Sequence, residues 1–330
     1  MKKNLISCLM IVAMIAMLST CASAAAPARV ILECGGAASG TNIFAGHVAL
    51  ADVVNRHSDF VTINVQETAG STAHPRMIVN GDIHMGTSAG FADFFAFHGG
   101  HELYPESVRD YFGTALVMQL TFQSLIVHAD SNIHTVQDLE GRRIGIGSAG
   151  SPGAEKAKGV LGSFGITNVN WAYLSTAEVG DMFIDRQLDA IITTNPIGNA
   201  LILNIIHNAD VRFLCLTEDG RRNAVEFLNH QVSPGVLTHN DWSPIPPGEH
   251  VYVIRDFGGT NISLDVPDEV VYEIVRIYWD NIDEVRMAVA ASDAVMEDIT
   301  SAIAWLHPGA AQFYRNKGIN IPDDRIAVRR

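Results

Sequence analysis

Val30-Ile31-Leu32-Glu33-Cys34, followed by Gly35-Gly36-Ala37-Ala38-Ser39-Gly40-Thr41 and then Asn42-Ile43-Phe44-Ala45-Gly46, is the stretch whose reading decides the fold. Its first residues are apolar and largely β-branched, as a buried strand requires. The small residues that follow let the backbone turn closely, and a helix is expected to begin near Asn42. Strand, small-residue loop and helix make the unit from which parallel α/β sheets are assembled. A second strand is expected from Val61 to Glu67, where Val61, Ile63 and Val65 alternate with polar neighbours. Gly70-Ser71-Thr72 should then open a helix that tolerates Pro75 in its first turn, and Ile83 to Thr87 should form a third strand.

The same rhythm restarts after Leu139-Glu140-Gly141. Arg143 to Gly147 reads as a strand, Ser148 to Gly153 as a small-residue loop, and a helix runs to about Phe164. Val169 to Leu174 and Asp189 to Thr193 read as strands, and Thr176 to Arg186 and Pro196 to His207 as helices. Strand and helix alternate in both halves, so mostly parallel sheets flanked by helices are expected. The β-rich stretch Ala115 to His128 should carry the chain from the first lobe to the second, and His250 to Phe257 should bring it back. Lobe one is then residues 25–123 with 250–330, and lobe two is 124–249. Pro234, Pro244, Pro246 and Pro247 leave little periodicity with which to place the return crossing. Helices from Pro267 onward should pack on the first lobe.

At the N-terminus, Lys2 and Lys3 precede an apolar run from Leu5 to Leu18 that is too short to span a bilayer, and Ala22-Ser23-Ala24 offers small residues for cleavage. Residues 1–24 therefore read as a secretory signal, cleaved near Ala24, with lipidation of Cys21 as the alternative. The formal net charge is −14, and losing the two lysines makes it two units more negative. Such a surface repels phosphate backbones and anionic membranes, which argues against nucleic-acid binding. Cys34 and Cys215 are all that remain of the cysteines after the signal, too few and too far apart for a disulfide framework.

Several separated segments resemble the TAXI-type solute receptors of TRAP transporters, periplasmic proteins that hand a ligand to a membrane permease. Gly35 to Gly46 is similar to that family's first ligand loop and Thr68-Ala69-Gly70-Ser71 to its second, with Arg76 and Gly81-Asp82 in register. His128-Ala129-Asp130-Ser131-Asn132-Ile133 and Asp138-Leu139-Glu140-Gly141-Arg142-Arg143 are similar to its crossover, and Gly147-Ser148-Ala149-Gly150-Ser151 stands in place of its serine-glycine loop. Leu306-His307-Pro308-Gly309-Ala310-Ala311-Gln312-Phe313-Tyr314 closes the match. Pro152, and His74 where asparagine is common, depart from the pattern, and the segment after Pro247 looks shortened. The resemblance implies a two-lobed, type II-like periplasmic-binding-protein fold with its cleft between the lobes. It also implies a small carboxylate ligand such as glutamate or a related acid, a TRAP permease subunit as partner, and a periplasmic, monomeric protein.

A carboxylate leaving water needs donors around it, which helix starts and hydroxyls supply. The expected ligand loops are Ser39, Gly40, Thr41 and Asn42; Gly70 and Ser71; and Ser148, Ser151 and Gly153. Thr68, Ser88, Thr194 and Asn195 complete a polar wall at strand ends, and Phe44 and Phe91 could cover apolar parts of the ligand. Helix capping for the hydroxyls and core packing for the phenylalanines are the competing roles.

Gly145-Ile146-Gly147-Ser148-Ala149-Gly150 matches a dinucleotide fingerprint, but the following strand ends in Ser175-Thr176 with no acid to hold a ribose. An enzyme using that loop, and an exported sensor with the same cleft, are the alternatives to a transport receptor. His98-Gly99-Gly100-His101-Glu102, with His84, fits no metal-ligand spacing. His307 reads as a helix-boundary residue ahead of Pro308. No catalytic residue, metal or cofactor is assigned.

Overall fold

A computed structural model describes residues 29–149 and 151–329; the expected signal, its cleavage site and Cys21 lie outside them. The chain opens with β1 (Val30–Gly35) and α1 (Asn42–His57), which starts where the sequence places it because Thr41 caps it: the hydroxyl accepts the N–H of Phe44 at 3.3 Å. Leu50, Val53 and Val54 recur on the inner face of α1, and burying a side chain such as Leu50 is worth ~2 kcal/mol.

β2 (Val61–Gln66), α2 (His74–Asn80), β3 (Met85–Ala89), α3 (Gly90–His98) and the long β4 (Phe112–His128) follow. Helix α2 begins later than the expected Gly70-Ser71-Thr72, because residues 71–73 first make a turn closed by Ala73 N–H to Gly70 C=O at 3.0 Å. Pro75 then sits in the first helical turn, where its missing N–H costs nothing.

The second half repeats the plan with β5 (Arg143–Ile146), α4 (Pro152–Ser163), β6 (Asn170–Tyr173), α5 (Thr176–Ile184), β7 (Ala190–Asn195) and α6 (Ala200–Asn208). Helix α6 begins four residues after the expected Pro196. Gly198 has φ +77°, incompatible with a right-handed helix, and Asn199 then caps the helix by accepting the N–H of Leu201 at 3.0 Å. β8 (Val211–Phe213), α7 (Glu218–Phe227), β9 (Ser233–Leu237) and the long β10 (Val251–Ser263) come next. Three C-terminal helices close the chain, α8 (Asp268–Asp280), α9 (Ile282–Ala288) and α10 (Pro308–Asn316).

The described strands form one ten-stranded sheet whose main path is β2-β1-β3-β10-β4-β7-β5-β6. From the centre outward the two sides mirror each other: β10-β3-β1-β2 and β4-β7-β5-β6. Pairs within each half are parallel, as strand and helix alternation predicts, but β4 and β10 run antiparallel to each other and to their neighbours β7 and β3. The sheet as a whole is therefore mixed. Any strand that carries the chain from one half to the other must run against the strands it joins.

β4 and β10 belong to both cores. Leu116, Val117 and Met118 pack with Leu50, Ile274 and Phe313 in one hydrophobic cluster, whereas Leu125 and Val127 pack with Ile144, Val160 and Ile192 in another. Phe257 and Ile262 of β10 lie in the first cluster and Ile254 in the second. The two clusters thus share two continuous strands. Cys34 on β1 and Cys215, two residues past β8, are both free thiols.

Candidate functional site

In a mirrored sheet of this kind the carboxyl ends of β1 and β7 approach one another, and ligands of open α/β sheets bind beyond such ends. The loop after β1 is held from beneath by a chain of hydrogen bonds. Thr68 Oγ1 accepts the N–H of Ala37 at 3.0 Å and lies 2.6 Å from Nε2 of His74, whose Nδ1 faces Thr87 C=O at 3.3 Å. These partners fix one tautomer: Nδ1 donates to the carbonyl, and Nε2 accepts from the threonine hydroxyl. Ala37 is thereby held at φ +72°, a conformation alanine rarely adopts unaided. His74 is fully buried, and burial pushes its pKa down to about 4, which keeps the ring neutral. It fits because Gly86 has no side chain: a Cβ there would stand 2.8 Å from the imidazole.

The facing rim is built by the end of β7 and the start of α6. Thr194 Oγ1 lies 3.4 Å from Nε2 of Gln123 across the β4–β7 ladder, and residues 196–199 turn into the capped helix. Between the rims lies a cleft of about 500 Å³, lined by Ser39, Gly40, Thr41, Asn42 and Ile43 on one side, Thr194, Asn195, Pro196, Asn199, Ala200 and Leu201 on the other, and Gln119 and Thr121 of β4 at the base. The first turns of α1 and α6 both line it. The N–H groups of Asn42, Ile43 and Ala200 have no partner within their own helices, and both helix ends carry partial positive charge. None of the lining residues is ionisable.

Of the residues expected from sequence, Ser39, Gly40, Thr41, Asn42, Thr194 and Asn195 meet in this cleft. The others are placed elsewhere. Thr68 is committed to Ala37 and His74, Gly70 (φ +100°) and Ser71 lie in the turn before α2, and the Phe44 ring packs on Gly36 and Val65. Phe91 is buried. Ser88 donates its hydroxyl to Asp93. Ser151 caps α4 through the N–H of Ala154, Ser148 is exposed in the preceding loop, and Gly153 sits in the first turn of α4.

Beside Ser88 lies a buried polar cluster that ties α3, α4 and β10 together. Lys156 of α4 places Nζ 2.6 Å from Asp256 Oδ2 on β10, with both side chains buried. Asp256 Oδ1 accepts the N–H of Gly90 at 3.0 Å and of Phe257 at 2.8 Å. The starts of α3 and α4 are tied to each other through that one carboxylate. Asp93, next to it and fully buried, has its pKa pushed up to about 7 by desolvation, with Ser88 and Asn261 opposing the shift.

Sequence reasoning missed Gln119, Thr121 and Asn199. The first two were detectable only as polar interruptions of a 17-residue apolar strand. The fingerprint glycine Gly145 has a packing role: a Cβ there would stand 2.6 Å from Leu188 Cδ1. Among the described residues no group of three or more histidine, cysteine, aspartate or glutamate side chains is placed to hold a metal ion. His101 stacks on Phe95 and His84 Nδ1 accepts the N–H of Glu33. His307 caps α10 by accepting the N–H of Gly309. No described helix is long and apolar enough to cross a membrane.

The model of the NMT1-like family matches residues 34–318. Among solved structures, a TctC solute binding protein from Polaromonas is 15% identical with a TM-score of 0.56, over 88% of this chain and 98% of that one. MatC from Rhodopseudomonas palustris, solved with bound malate, is 10% identical with a TM-score of 0.56, over 88% and 96%. XAC2383 from Xanthomonas citri, solved bound to ATP, is 11% identical with a TM-score of 0.52, over 87% and 94%. At these identities the likeness is one of fold: an α/β architecture with a mixed sheet flanked by helices.

Proposed function

The chain belongs to the NMT1-like family, and from that premise we propose that it is an exported solute receptor that captures a small carboxylate between its lobes and delivers it to a membrane permease. The observation that carries this reading is the cleft itself. Two helix starts line the same cleft of about 500 Å³, whose lining is uncharged and carries several hydroxyl and amide groups, an arrangement that stabilises an anion through backbone N–H groups. Nothing among the lining residues supplies a nucleophile paired with a base, so binding, not bond cleavage, is the chemistry offered.

The TAXI type of TRAP system is the finer assignment, on the strength of the loop segments Gly35–Gly46 and Thr68–Ser71. Ligand docks first on Ser39–Ile43 and then recruits Thr194, Asn195 and the start of α6 as β4 and β10 flex, so that closure marks the loaded state. On this reading residues 1–24 are a secretory signal, and the mature protein works in the periplasm as a monomer. Thermal unfolding of the mature chain against small carboxylates, sugars and nucleotides tests the reading, because a ligand of the native state alone raises the midpoint. A dose-dependent rise with a carboxylate supports it; a rise with sugars or nucleotides alone overturns it.

A further inference from the structure

The geometry points to a ligand that carries a hydroxyl or oxo group beside its carboxylate, not an ammonium, with Gln119 as the residue that reads that group. This inference rests on the carboxylate reading and narrows it. Gln119 is 8% exposed and lines the base of the cleft. A carboxamide that loses its water when a ligand fills the cleft is costly to leave unpaired, so this one is set for a partner the ligand brings. Its position is fixed from below: Gly258 lies under it so closely that a Cβ there would stand 2.9 Å from Gln119 Nε2.

Three features of the surroundings decide what that partner is. The α1 and α6 starts both present positive dipole ends to the cleft, which favours anionic groups and repels an ammonium. No carboxylate lines the cleft to pair with a buried cation. Glu67, the acid on the neighbouring loop, accepts the N–H of Ser39 at 3.1 Å and is exposed. An amino acid entering here would desolvate its ammonium with only neutral oxygens to receive it. A hydroxyl or keto oxygen carries no such cost, and one carboxamide serves either, accepting from a hydroxyl through Oε1 or donating to a keto oxygen through Nε2.

The test is isothermal titration with matched sets that differ only at the second carbon: glutarate, 2-hydroxyglutarate, 2-oxoglutarate and glutamate, and succinate, malate, oxaloacetate and aspartate. The wild-type chain should bind a hydroxy or oxo member at least about tenfold more tightly than the amino member of its set. Gln119→Met keeps the side chain's length and removes its polar end. It should weaken the hydroxy or oxo ligand about tenfold while leaving the unsubstituted diacid nearly unchanged, with an unaltered thermal midpoint confirming that the variant folds. Glutamate or aspartate binding as tightly as its hydroxy and oxo counterparts, or Gln119→Met weakening the unsubstituted diacid equally, overturns this inference and leaves the carboxylate reading standing. Failure of every member of both sets to bind, with a response to sugars or nucleotides instead, overturns both.

Discussion

The hydroxyl oxygen of Thr68 stands 2.6 Å from Nε2 of His74, and this contact ties the loop after β1 to a buried neutral imidazole. The ring's other nitrogen serves Thr87 C=O, so the first rim of the cleft rests on hydrogen bonds that need one specific tautomer. His74→Leu leaves the Thr68 hydroxyl and the Thr87 carbonyl without their partner. It should cost ~2 kcal/mol in urea unfolding and weaken ligand binding, because Ala37 is no longer held at its positive φ. Unchanged affinity would separate the loop from its support.

Acid should destabilise the protein before its ordinary carboxylates titrate. His47, His74 and His307 are buried, with pKa values pushed by desolvation from 6.5 down to about 4. The unfolded chain therefore takes up three protons below about pH 6.5 that the folded chain refuses until about pH 4. Their contribution is fully present above pH 6.5 and is lost as pH falls through that window. Asp93 acts oppositely: raised to about 7, it stabilises most in acid and loses its contribution as pH rises through 7. The net is about two protons, a slope of at most ~3 kcal/mol per pH unit. Urea midpoints between pH 7 and 4.5 should fall accordingly, and less steeply in His74→Leu.

Thr194 and Ser151 should separate into two roles. Thr194 lines the cleft, and Thr194→Ala should weaken binding by ~1 kcal/mol with little change in stability. Ser151 caps α4, and Ser151→Ala should cost ~1 kcal/mol of stability with affinity nearly preserved. Paired titration and unfolding measurements check both, and the reverse pattern would relocate the site.

The Lys156–Asp256 pair should be expensive to break singly. Lys156→Met strands a buried carboxylate and should cost ~3–5 kcal/mol. Adding Asp256→Asn removes the stranded charge while keeping an oxygen for the Gly90 and Phe257 N–H groups, so the double variant should be more stable than Lys156→Met alone. A double-mutant cycle in urea measures this coupling.

Local chemistry made the α/β plan readable. Val61, Ile63 and Val65 alternate because one face of β2 is buried, and Thr41 marks the start of α1 because its hydroxyl caps it. Boundaries slipped where one residue's backbone overruled a pattern, as at Gly198 before α6. The site was half visible. Small residues and hydroxyls at strand ends drew attention to Ser39–Asn42 and Thr194–Asn195, but the same signature describes a cap such as Ser151. What no local pattern carries is pairing at long range. Lys156 meets Asp256 a hundred residues away, and Gln119 reaches the cleft only because β4 is shared by both lobes.

The central claim is that an acid binds between the starts of α1 and α6. Titration of one responding carboxylate into the wild-type chain and into Thr194→Asp measures it most directly, since the variant adds a negative charge to an otherwise uncharged lining. The account predicts saturable binding to the wild-type chain and a loss of at least about a hundredfold in the variant, from repulsion at short range in a partly buried site. Equal affinity for the two proteins would place the ligand elsewhere and contradict the account.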